Sequence, residues 1–123
     1  MTNCAAATTR RTDAVRAAEF YSELMYIALL SYTAPRNEVD YTLAEHAEWL
    51  RAQFSHGLFL VSGNGHEDAD QVILTRPCLR GKLDAVLATD PLVLQRLARY
   101  RVIEFSATRT AGGFHTINEA LAS

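Results

Sequence analysis

Leu58 to Thr75 reads LFLVSGNGHEDADQVILT. Two apolar runs, Leu58–Ser62 and Gln71–Thr75, flank a polar, glycine-rich stretch from Gly63 to Asp70. The runs are strand-length and rich in branched or aromatic residues, and the stretch between them carries turn chemistry. The segment predicts a β-hairpin. Outward from it lie two more strand-length runs, Met25–Thr33 (MYIALLSYT) and Tyr100–Thr108 (YRVIEFSAT).

The intervals between these runs read as helices. Thr42 to His56 carries Leu43, Ala47, Leu50 and Phe54 at the spacing of one buried face. Thr42 with Glu45 three residues on predicts a capping box, and Gly57 a stop. Leu79 to Thr89 predicts a second helix with Leu79, Leu83, Val86 and Leu87 on one side. Asp90-Pro91 predicts the start of a short helix running to Arg99, with Asp90 as N-cap. The resulting order, β-α-β-β-α-(α)-β, is the split βαβ pattern of a ferredoxin-like α+β fold. Its four-stranded antiparallel sheet carries the helices on one face.

Tyr26–Leu30, Leu58–Val61 and Val72–Leu74 do not alternate apolar with polar residues. Both faces of the sheet are then apolar, and helices on one side leave the other bare. At about 25 cal/mol per Å² of apolar surface, covering that face is favoured. The expectation is a homodimer with two sheets packed face to face, a dimeric α+β barrel.

The chain has 123 residues, 49% hydrophobic and 21% charged, which suits one small domain. Twelve Lys and Arg against fourteen Asp and Glu give a net charge of -2, without the basic excess of a nucleic-acid binder. No apolar run approaches the roughly 20 residues that span a bilayer. Residues 1–24 read as an extension, Ala- and Thr-rich as far as Thr12 and expected to be flexible or partly helical from Asp13; residues 25–110 read as the folded domain and residues 111–123 as a tail. Cys4 and Cys78 are too few for a disulfide scaffold and point to a reducing cytoplasm. Cys78 reads as a half-buried small hydrophobe.

His46 lies at the edge of the Leu43–Leu50 stripe, with Trp49 and Gln53 on the same side. A histidine at such a rim suits general acid or base work, and it equally suits a structural bond to a carbonyl. Asp90 caps its helix, and its spare oxygen can orient a histidine. Ser62 and Gly63 end the second strand with a hydroxyl and a bare amide, able to hold a substrate oxygen or simply to form a turn. His66, Glu67, Asp68 and Asp70 form an acidic loop able to hold a divalent cation, but they lack the EF-hand and H-E-x-x-H spacings and read as a solvated hairpin tip. His56 complements a helix end, and His115 falls in the tail. No P-loop or dinucleotide fingerprint is present, and no cofactor is expected.

The order of these features resembles the YCII-related domain family. The resemblance rests on Met25–Thr33, His46-Ala47-Glu48-Trp49-Leu50, Gly57 to Gly63, Asp90-Pro91-Leu92 and Val102 to Thr110. It implies a ferredoxin-like domain pairing into a dimeric barrel. It implies that His46 and Asp90 meet in a cleft as the active-site pair, with Ser62 lining it. Two positions depart from the family pattern: Asn64 stands where proline is usual, and Leu92 where an aromatic is usual. Some members look like lyases that eliminate halide from hydroxylated rings. The expected function is a cofactor-independent lyase or isomerase on a small aromatic or enolic molecule. His46 and Asp90 would be catalytic, and Ser62, Gly63 and Trp49 would bind substrate. The alternative is a non-catalytic ligand-binding or dimerising accessory module.

Overall fold

The computed structural model describes residues 24–112. The expected helix from Asp13, Cys4, and His115 in the tail all lie outside the described residues. In chain order the elements are β1 (Leu24–Tyr32), α1 (Arg36–Asp40), α2 (Leu43–Ser55), β2 (Phe59–Asn64), β3 (Gln71–Thr75), α3 (Arg80–Leu87), α4 (Pro91–Leu94) and β4 (Ala98–Ser106).

The four strands form one sheet in the order β2-β3-β1-β4, and every neighbouring pair is antiparallel. β1 carries no charge along LMYIALLSY, which suits a strand paired on both sides and covered on its helical face. The edges differ in kind. β2 is short, bulged between Phe59 and Val61, and ends in Gly63-Asn64; β4 carries Arg99, Arg101 and Glu104. Short, bulged or charged edges resist further strand addition. The loop from β2 to β3 closes through the Gly65 N–H, which donates to Asp70 O at 3.0 Å. A Cβ on Gly65 would run into the Ala69 carbonyl oxygen, so this turn requires glycine.

Alternation along the strands separates two faces. Tyr26, Ala28 and Ile73 point to the helices and pack with Phe59, Leu83 and Leu87. Leu30 joins Val39, Leu92 and Ala98 in a second cluster. The opposite face carries Ile27 and Leu29 of β1, Val72 and Leu74 of β3, and Val61, Ile103 and Phe105 at the flanks. The last three are 53%, 40% and 38% exposed, so an apolar sheet face stands open to solvent.

Four expectations are corrected. The Thr42–Glu45 capping box does not form. α1 runs almost directly into α2, which leaves Thr42 in a helical backbone conformation with its own N–H donating to Val39 O. An N-cap side chain works from an extended residue. The Thr42 hydroxyl instead meets Gln95 Oε1 at 3.1 Å, and Gln95 Nε2 donates to Glu45 at 3.3 Å.

The inner face of α2 is also turned from the expected stripe. Ala47 and Phe54 are exposed, and His46 is the one fully buried residue of the helix, not a rim residue. A polar network neutralises the cost of burying it, as described below. Leu79, expected on the buried side of α3, is exposed as that helix's N-cap.

The helix begun by Asp90-Pro91 stops at Leu94 rather than Arg99. Arg96 adopts φ 62°, Leu97 N–H returns to Leu92 O at 2.8 Å, and β4 starts at Ala98. Pairing along all nine residues of β4 with β1 prevails over a weak helical tendency.

Candidate active site

Asp90 sits where the α3–α4 connection becomes helix. Its backbone is extended, and Oδ1 accepts from Leu92 N–H at 2.9 Å. The cap thereby fixes the carboxylate and aims it inward. His46 enters from α2, and its Nδ1 lies 2.9 Å from the same Oδ1. Both side chains are sealed, with relative exposures of 3% and 0%. The Tyr100 hydroxyl, from β4, donates to Asp90 Oδ2 at 2.6 Å. Three donors from three elements thus converge on one buried carboxylate, and this satisfaction permits its burial.

The other edge of the imidazole is equally committed. Nε2 lies 2.8 Å from Gln71 Oε1, at the start of β3. Gln71 Nε2 donates to the Tyr32 hydroxyl at 3.0 Å. Each ring nitrogen therefore faces an oxygen acceptor, an arrangement that an imidazolium satisfies and a neutral ring does not. Burial by itself lowers the pKa of His46. The hydrogen bond and charge of Asp90, joined by the Gln71 bond, outweigh it, and the net direction is upward. Burial followed by the Asp90 charge drives the Tyr100 hydroxyl strongly upward, so it remains a donor.

Trp49 forms one wall. Its ring stacks on His46 at 5.8 Å, meets Phe59 edge-on at 5.5 Å, and donates Nε1–H to Thr89 Oγ1 at 2.9 Å. Ser62 and Gly63 stay outside the network. Ser62 pairs with Ile73 on the helical side of exposed edge strand β2. Gly63 pairs with Val72, and a Cβ there would point into open space. Asp70 belongs to the sheet margin rather than to a free acidic tip: its Oδ2 accepts from Tyr32 N–H at 2.8 Å. Among the described residues no group of three or more His, Cys, Asp or Glu is placed to hold a metal.

Sequence reasoning missed Gln71, Tyr32 and Tyr100. Gln71 left one signal, a polar residue on the same strand face as buried Ile73 and Thr75. The two tyrosines gave none, since aromatics are ordinary strand residues.

Fold and site together define a mixed α+β domain with a four-stranded antiparallel sheet and a buried His–Asp pair beneath it. In three dimensions the chain is similar to 5-chloro-2-hydroxyhydroquinone dehydrochlorinase from Burkholderia phenoliruptrix, solved with 2,5-dihydroxybenzoquinone. The TM-score is 0.52 at 16% sequence identity, over 75% of this chain and 97% of that one. At that identity the likeness shows the fold alone. A cofactor-independent oxygenase from Streptomyces nogalater aligns over 74% of this chain and 98% of its own, at 16% identity and a TM-score of 0.43. No protein-family model matches the chain, and no curated protein matches it. No helix among the described residues is long and apolar enough to cross a membrane.

Proposed function

We propose that the chain is a YCII-like, cofactor-independent lyase or isomerase acting by proton transfer on a small hydroxylated aromatic or enolic molecule. The observation that carries this reading is a buried imidazole with an acceptor oxygen at each nitrogen. Two acceptors favour the protonated ring, which serves as a general acid or as a stabiliser of a developing enolate. A substrate oxygen that displaces Gln71 Oε1 takes over the N–H at Nε2. Asp90 holds the opposite nitrogen and compensates the charge. Ser62, on the same sheet face, contributes a hydroxyl to the substrate, Gly63 leaves room beside it, and Trp49 supplies an aromatic wall. The domain works as a ferredoxin-like homodimer whose second copy covers the open sheet face.

The dehydrochlorinase of similar fold supplies the first probe by its name. 5-Chloro-2-hydroxyhydroquinone is incubated with the full chain, and chloride release and deuterium uptake from solvent into the ring of the unchlorinated analogue are followed. Activity that exceeds the background and disappears in His46→Gln supports the reading. Activity unchanged in both His46→Gln and Asp90→Asn overturns the assigned roles.

The same burial favours a second reading. A pair with every polar atom partnered is also a good structural ion pair, which fits an accessory module that binds a ligand without turning it over. Ligand-induced movement of the His46 ring signals without any proton exchange in the ligand would identify the module.

A further inference from the structure

A cavity lies away from the histidine pair. It opens between the C-terminal end of α2, the start of β2 and the segment joining β3 to α3, with a volume of about 400 Å³. That is within the range of small-molecule sites, roughly 300–1,000 Å³. Gln53, on its wall, lies two helical turns beyond His46, about 10 Å along the axis of α2. The cavity is therefore separate from the proposed acid–base site.

Its lining joins an apolar floor to a cationic rim. Leu58 and Val86 provide the floor, while the cations Arg76 and Lys82 stand around it with His56 and Cys78. No carboxylate lines it. Elsewhere the helical arginines are paired: Arg36 with Asp40, Arg51 with Glu48, Arg80 with Asp84. Among the described residues Arg76 and Lys82 form no ion pair. Arg76 is pinned at its root, where Nε donates to Pro77 O at 3.3 Å, leaving the outer guanidinium nitrogens for a ligand. Both charges act on the half-buried Cys78 thiol. Burial raises its pKa, and the charges of Arg76 and Lys82, which line the same cavity, pull against that rise. The wall behind Cys78 is braced by the Tyr26 hydroxyl, which donates to Cys78 O at 3.1 Å.

We propose that this cavity is a binding site for a small amphipathic carboxylate, its apolar body on Leu58 and Val86 and its charge between Arg76 and Lys82. An anion there gains two charge-assisted contacts, while the apolar floor rejects a fully hydrated ion such as phosphate.

The test is an amide NMR titration of the full chain with 2-naphthoate, repeated with uncharged 2-naphthamide. Saturable shifts are expected at Gln53, Cys78 and Lys82. Binding should weaken about tenfold for the amide, as expected when two partly exposed charge contacts are lost. The Arg76→Gln/Lys82→Gln double variant should weaken naphthoate binding to a similar degree. Should that variant fail to fold, the amide comparison on the unaltered chain still decides. Absence of saturable shifts at these residues, equal binding of the amide, or shifts gathered at His46 and Asp90 instead would each overturn the proposal.

Discussion

Gln71 Oε1 stands 2.8 Å from Nε2 of His46, opposite the edge that Asp90 holds at 2.9 Å. The amide also donates to the Tyr32 hydroxyl. Turning that amide end for end, with the hydroxyl reversing its own bond, would present an N–H to Nε2 and fit a neutral ring. The two arrangements differ by one proton, so Gln71 biases the charge of a residue it follows by 25 positions. Gln71→Leu removes the acceptor that favours the cation. The His46 pKa is expected to fall relative to the unaltered chain, measured by titrating the ring nitrogens by NMR. A pKa that stays level or rises contradicts this account.

Asp90 does two jobs that a substitution can separate. In Asp90→Asn the side-chain oxygen still accepts from Leu92 N–H, so α4 keeps its cap. The charge opposite His46 is lost, only the Gln71 bond still works against burial, and the ring pKa should fall relative to the unaltered chain. Removing one partner of a buried pair costs about 3 kcal/mol. If the acid–base reading holds, turnover falls by about 10²- to 10⁴-fold while the spectrum of the fold persists. Denaturant unfolding and the ring titration check the first two effects independently of any substrate.

The raised pKa of His46 makes stability depend on pH in a definite sense. A folded-state pKa above the unfolded value means that the native state binds the proton more tightly. The contribution is complete below the unfolded value, near 6.5, and fades as pH rises through the folded value. The stability gap between the unaltered chain and His46→Gln should therefore be wider at pH 6 than at pH 9. Urea unfolding at the two pH values measures it, and a gap that widens on going alkaline contradicts the direction of the shift.

Thr42 stabilises the entry to α2 through Gln95 rather than through a cap. Thr42 is 3% exposed, so its hydroxyl needs that partner. Thr42→Ala and Gln95→Ala should each destabilise the fold, with a coupling of about 0.5–1 kcal/mol in the double-mutant cycle. A coupling of zero would contradict this role for the pair.

The strands were legible because apolar runs bounded by turn residues leave few other readings; β3, Gln71 to Thr75, needed no adjustment of its ends. The rotation of α2 was not legible. Periodicity weights Ala47 and Phe54 as apolar and His46 as polar, while the fold buries the histidine because Asp90 and Gln71 satisfy it. That the three meet depends on strand register and on the α3–α4 turn, because His46 and Asp90 stand 44 positions apart. Spacing along the chain contains no such distance: the residue types allow the pair, and only the family resemblance implies that the two meet. The length of α4 was misread for a related reason: nine residues of pairing with β1 claim Ala98 and Arg99 for β4.

The open sheet face yields the last prediction. Val61, Ile103 and Phe105 lie on the side away from the helices, beside half-buried Ile27, Leu29, Val72 and Leu74. Arg99 and Arg101 share that side of β4, giving the patch a charged margin. An apolar core with a charged rim is the anatomy of a protein–protein interface. A second copy presents the same patch, so two sheets can meet about a two-fold axis. The unaltered chain should show twice the mass of one chain in light scattering at micromolar concentration. Phe105→Glu places a carboxylate, and by symmetry its partner, in the apolar contact, at a position exposed enough for the separate chain to tolerate it. That variant should run as a monomer with its helical signal intact. A monomeric mass for the unaltered chain would remove the dimer from the proposed function, leaving the buried His46–Asp90 pair to be judged on its own titration.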